Sequence, residues 1–219
     1  IPSTPQAEFR TYTDWEIQKF NAAVAKLDIQ IARLLVIHQM LGTRISDTLT
    51  LWTDCLFEQK QVPMIRIRQM KTNTYIKPIS RELEELIKLA IAETKKRYGE
   101  TKYIFVREED PTKPMKYGTL QGKIMAMIQK EQLKDGNGKL FGFNTHMFRH
   151  YYGSKITEMD LDDWTLAKLF GHKSIKSVKY YRRMSNHRLA EDTREIRERK
   201  SQFIAEHLEG WGEEYEQVR

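Results

Sequence analysis

The sequence predicts a mainly α-helical domain carrying a small antiparallel β-sheet, an α+β fold. Three observations lead there. Several segments repeat apolar residues at helical spacing between recognisable caps, 29–41 and 81–98 most clearly. One pair of stretches, VPMIRIRQM and YIKPI, has strand character and is separated by the polar turn 72–74. At 219 residues and 40% apolar composition, the chain suits a single domain with a real core.

Residues 1–10 read as a linker, with two prolines, small polar residues and no periodicity; the chain opens at Ile1, which we take as the start of a fragment. Thr13 with Glu16 three residues on is a capping box, so a helix starts there and runs to about residue 27. Asp28 caps the next helix, 29–41, which Gly42 ends; Ile29, Leu34, Leu35, Ile37 and Leu41 make it largely buried. A short helix covers 46–52. Cys55 lies in the apolar run 51–57 and reads as a buried structural thiol, and as the only cysteine it excludes an internal disulfide. Strand 62–70 follows, with Met64, Ile65 and Ile67 as its apolar members, and Pro78 places strand 75–79 at an edge or end of the sheet. An amphipathic helix then runs from Arg81 until Gly99 stops it. Residues 102–106 predict one more short strand, 119–133 a helix, and 135–144 a loop. Helices are expected over 145–159, 162–170 and 174–183, with one or two charged helices from about residue 186.

Charge divides the chain. Residues 1–110 carry net +2, residues 111–190 net +9, and residues 191–219 net −4. The middle block is the candidate polyanion face, because neutralising phosphates with Lys and Arg drives nucleic-acid affinity. The acidic tail suits a protein partner. No stretch approaches the apolar length needed to cross a bilayer. Carboxylates, Cys and His nowhere cluster at metal-ligand spacing, and there is no glycine-rich phosphate loop, so neither a metal nor a nucleotide cofactor is expected.

Four local patterns carry chemistry. In GTRISD, Arg44 follows a helix C-terminus, and Asp47 three residues on is placed to orient it. In THMFRH, His146 and Arg149 share one helix face, where an imidazole and a guanidinium can flank a single phosphate. In LFGHKSI, Gly171 ends a helix and puts His172 on a sharp turn. Tyr181 follows ten residues after Gly171, with Tyr180 beside it and Lys179, Arg182 and Arg183 around it; a phenol attacks at neutral pH only with help from a base and positive charge.

Taken in order, these residues resemble the catalytic domain of the tyrosine recombinase (integrase) family. That family reads an arginine in G-x-R-x-x-E/D, a lysine on a β-hairpin, H-x-x-R, then L-G-H and a tyrosine about nine residues on. Here the matching residues are Arg44, Lys71 before the hairpin turn, His146 to Arg149, Gly171-His172 and Tyr181, across residues 10–185. Lys77, across the hairpin, is the fallback for the lysine, and Tyr180 the rival for the nucleophile. Phe148 and Phe170 stand where leucine is common, and Asp47 is the shorter acid at its position.

The resemblance implies transesterification on double-stranded DNA, without metal, through a 3′-phosphotyrosyl bond made by Tyr181. Arg44 and Arg149 would clamp the phosphate oxygens, and His172 would donate a further bond. His146 would help take the phenol proton, Lys71 would protonate the leaving 5′-oxygen, and Asp47 would orient Arg44 or His146. It implies a catalytic domain over 11–185 and a DNA-binding domain preceding the linker. A tail at 186–219 would dock on a neighbouring protomer of a tetramer holding two duplexes. A bacterial, phage or mobile-element origin and a cytoplasmic setting go with it. The alternatives are relaxation of DNA in the manner of a type IB topoisomerase, or a non-catalytic DNA-binding relative.

Overall fold

The computed structural model describes residues 11–69, 74–157 and 162–169. Lys71, His172, Tyr180, Tyr181, the linker, the helix expected at 174–183 and the tail lie outside the described residues.

Among the described residues, seven helices and three strands follow in the order α1 (Asp14–Val24), α2 (Ile29–Leu41), α3 (Ile45–Leu49), β1 (Leu56–Gln59), β2 (Val62–Arg68), β3 (Thr74–Pro78), α4 (Arg81–Tyr98), α5 (Tyr117–Lys130), α6 (Thr145–Thr157) and α7 (Asp163–Leu169). The helix starts are those the caps predict. Thr13 and Glu16 bond reciprocally at the start of α1, at 3.1 and 2.9 Å, and Asp28 accepts from Gln30 N at 2.9 Å at the start of α2. Gly42 closes α2 in the left-handed conformation, φ 62°.

The α2 helix is the central post. Leu34, Leu35 and Ile37 are fully buried, and the helix packs against α1, α3, α4 and α6. Ile29, expected in its buried set, is instead 48% exposed, while Gln30 and Ile31 face inward. The α2 apolar stripe starts two residues later, at Ile31, while Gln30 is drawn in by α4, donating to Ala90 O at 2.9 Å and Thr94 Oγ1 at 2.7 Å. A second part of the core is aromatic: Tyr12, Phe20, Phe141, Phe143 and Phe148 stack in the space between the start of the chain, α1, the 135–144 loop and α6. Cys55 is fully buried, and burial pushes its thiol up to about 12.

Among the described residues the sheet has three strands in the order β1-β2-β3, all antiparallel, with β3 and its Pro78 at an edge. β1 is an addition to the expected pair of strands. It joins β2 through Lys60 and Gln61, both at positive φ (50° and 65°), the conformation of a tight twisted hairpin turn. The short strand expected at 102–106 does not join the sheet; that stretch makes only single bridges, Trp52 with Tyr103 and Val106 with Pro114, and buries Ile104 and Phe105 beside α4. No helix among the described residues is long and apolar enough to cross a membrane.

Candidate active site

Two segments more than a hundred positions apart build one cleft. The first is the turn between α2 and α3. Gly42 reverses the chain, Thr43 is buried, and Arg44 sits in extended conformation as the N-cap residue of α3. The second is the first turn and a half of α6, where Thr145, His146 and Arg149 face the same way. Together with Ile45 and Ser46 these residues line a cleft of about 190 Å³. The cleft therefore opens on the N-terminal end of α6, the positive end of that helix's dipole.

Each member is held by a different device. Arg149 is 3% exposed, and its Nη1 donates to Gly42 O at 2.6 Å, which locks α6 to the α2–α3 turn. Arg44 is exposed, and its guanidinium makes no hydrogen bond or ion pair among the described residues. His146 is exposed on the cleft rim; its backbone N–H is capped by Asn144 Oδ1 at 2.9 Å, and its ring stacks on His150 at 5.6 Å between centroids. Burial, reinforced by His146 and Arg149, pushes His150 down to about 4.

Behind Arg44 lies a buried hydroxyl chain. Thr48 Oγ1 meets Thr43 Oγ1 at 2.7 Å and His38 Nδ1 at 2.9 Å, so α2, the turn and α3 share one network. His38 is 1% exposed, and burial pushes it down to about 4, so it stands there as a neutral ring. Asp47 is also buried; Ser46 Oγ donates to it at 3.4 Å and Gln69 Nε2 at 3.5 Å. Burial raises the Asp47 carboxyl, and Arg44 and Arg149 oppose that rise, so its field falls on the arginines. Gln69 ends the described part of β2 side of the hairpin, two residues before Lys71.

Lys77, the fallback lysine, points inward. It is 3% exposed, and Nζ donates to Leu41 O at 2.5 Å, Tyr152 Oη at 3.1 Å and Leu169 O at 3.4 Å. It is not among the residues lining the cleft. Burial, with Arg149 adding to it, pulls its ammonium down to about 7. Of the expected site residues that are described, Arg44, His146 and Arg149 line the cleft and Asp47 lies just behind it. Sequence reasoning passed over His38, Thr48, His150 and Tyr152; only His150, four residues after His146 on one helix face, carried a spacing signal. Among the described residues no group of three or more His, Cys, Asp or Glu side chains converges as a metal site.

A family model described as the phage integrase family matches residues 10–188, most of the chain. The chain belongs to that family. This phage integrase family member is 28% identical over 182 residues to transposase B from transposon Tn554 of Staphylococcus aureus, across 82% of the chain and 29% of the transposase. The chain thus spans less than a third of the length of that relative. In fold it is similar to the XerH site-specific recombinase in a post-cleavage complex with a difH substrate (TM-score 0.66, 18% identity, 87% of this chain and 55% of that one). It is similar also to the Tn1549 transposon integrase bound to transposon right-end DNA (TM-score 0.63, 15% identity, 88% and 68%). The fold is that of tyrosine recombinase catalytic domains, mostly helical with one small antiparallel sheet.

Proposed function

We propose that this chain is the catalytic part of a mobile-element recombinase that cuts and rejoins DNA through a 3′-phosphotyrosyl intermediate. The observation that carries the reading is the convergence of Arg44, His146 and Arg149 on one cleft at the head of α6. Two guanidiniums facing one small cleft suit a tetrahedral anion with charge building on its non-bridging oxygens.

In this mechanism Tyr181 Oη attacks the scissile phosphorus, the P–O5′ bond breaks, and the 5′-oxygen leaves with a proton from Lys71. His146 takes the phenol proton. Arg44 and Arg149 hold the two non-bridging oxygens, and His172 adds a third donor. Asp47 keeps the arginines oriented. The hairpin stem supports the role given to Lys71, since Gln69, two residues earlier, reaches Asp47. The covalent bond conserves the phosphodiester energy, so a 5′-hydroxyl of another strand reseals the break without a nucleotide cofactor. Residues 11–185 form the catalytic domain, 1–10 lead to it, and 186–219 dock on a neighbouring protomer in a tetramer on two duplexes. It works in the cytoplasm of a bacterial host.

A nicked suicide duplex carrying the junction sequence of the element that encodes the chain tests this directly. The wild type is expected to form a denaturation-resistant protein–DNA adduct, Tyr181→Phe to form none, and Tyr180→Phe to keep it. Absence of the wild-type adduct with retained DNA binding favours a non-catalytic relative. Relaxation of supercoiled plasmid lacking the junction sequence favours the topoisomerase alternative.

A further inference from the structure

Lys77 runs against the pattern of its own strand. β3 turns Ile76 out, 48% exposed, and Lys77 in, opposite the fully buried Ile65. A slip of one residue would bury the isoleucine and free the ammonium. The observed register stands because the ammonium finds three oxygen acceptors, one for each of its N–H bonds.

Those acceptors are informative. Leu41 is the last residue of α2, so its carbonyl is one that a helix cannot satisfy internally and whose partial negative charge attracts a cation. The second, Leu169 O, belongs to α7. The third, Tyr152 Oη, belongs to α6. Each acceptor is three positions from a residue given a catalytic role: Leu41 precedes Arg44, Leu169 precedes His172, and Tyr152 follows Arg149. Arg149 meanwhile holds the very next carbonyl, that of Gly42. The Tyr152 ring lies so close to Gly42 that a Cβ there would sit 2.0 Å from Tyr152 Cδ1.

We propose that Lys77 is a positioning residue: one buried ammonium ties the end of α2 and Leu169 of α7 to α6, and so sets the spacing of Arg44 and Arg149. The inference rests on the recombinase reading above and deepens it. Lys77 lies off the cleft and acts through the backbone, whereas Lys71 is the proton donor.

The test compares wild type, Lys77→Met and Lys71→Ala in the full chain. Lys77→Met is expected to slow single-turnover adduct formation at saturating suicide duplex at least tenfold, with Kd for the duplex within twofold of wild type. Amides of residues 42–44 are expected to exchange hydrogen at least tenfold faster. The same duplex with sulfur in place of the 5′-bridging oxygen separates the two lysines, because a thiolate leaves without a proton. On it Lys71→Ala recovers and Lys77→Met stays slow. Wild-type cleavage by Lys77→Met overturns the proposal, as does its recovery on the sulfur substrate, which would make Lys77 the general acid. If Lys77→Met does not fold, Tyr152→Phe removes one of the three acceptors; it is expected to slow cleavage about threefold without recovery on sulfur, and an unchanged rate overturns the proposal. Absence of adduct from the wild type overturns the recombinase reading instead, and hydrogen exchange at 42–44 still decides whether Lys77 makes the tie.

Discussion

Neutral imidazoles packed behind the cleft make its walls sensitive to acid. His38 is held down to about 4 by burial, against an ordinary value of 6.5, with Arg149 and His146 acting in the same sense. Between those two values the unfolded chain binds a proton that the folded one refuses, so stability falls as pH drops from about 6.5 to about 4. His150, shifted the same way, adds to the effect. Unfolding free energies from urea titrations across this range are expected to decline, by up to about 1.4 kcal/mol per pH unit from His38. His38→Gln should flatten the profile. At Arg149 the geometry of the fork matters as much as its charge. Lysine there keeps one positive centre but loses the planar fork, which can hold Gly42 O with one N–H and present the others side by side to a phosphate. Adduct formation by Arg149→Lys is expected to fall by roughly 10²- to 10³-fold, the range for loss of a preorganised donor.

Among the elements, the α2–α3 turn is the most constrained. Gly42 combines a left-handed backbone with a tyrosine ring where its Cβ would be. Gly42→Ala is expected to cost roughly 2–4 kcal/mol, from left-handed strain plus overpacking. Combining it with Tyr152→Ala relieves the overpacking part, so the two changes will not be additive in a double-mutant cycle of thermal unfolding. The same scale shows what a reader of the sequence can see. Caps at Thr13, Asp28 and Gly42 were legible because each rests on a residue's own hydrogen bonding or backbone freedom. β1 was not, because its tight turn uses Lys60 and Gln61, without the Asn-Gly or Gly signals that announce such turns. The inward lysine and outward isoleucine of β3 were equally hidden, since acceptors supplied by α2, α6 and α7 override strand patterning. For the site, Arg44 and the His146–Arg149 pair could be found from spacing. The supporting His38, Thr48 and Tyr152 could not, because only packing brings them together.

Over the whole molecule, charge and shape act jointly. With net +9 across residues 111–190, duplex binding is expected to weaken steeply with salt, log K falling linearly with log salt concentration. Titration by fluorescence anisotropy between about 50 and 200 mM salt checks this; a flat response would remove phosphate contacts as the main source of affinity. The start of the chain is also laced to α6. Tyr12 Oη donates to Gly142 O at 2.7 Å and accepts from Asn144 N at 2.8 Å, while Asp14 takes bonds from Tyr151 at 2.9 Å and Lys155 at 3.1 Å. A load placed on residues 12–14 would thus reach the helix bearing His146 and Arg149 directly, so the two arms of the cleft feel any shift at that end of α1.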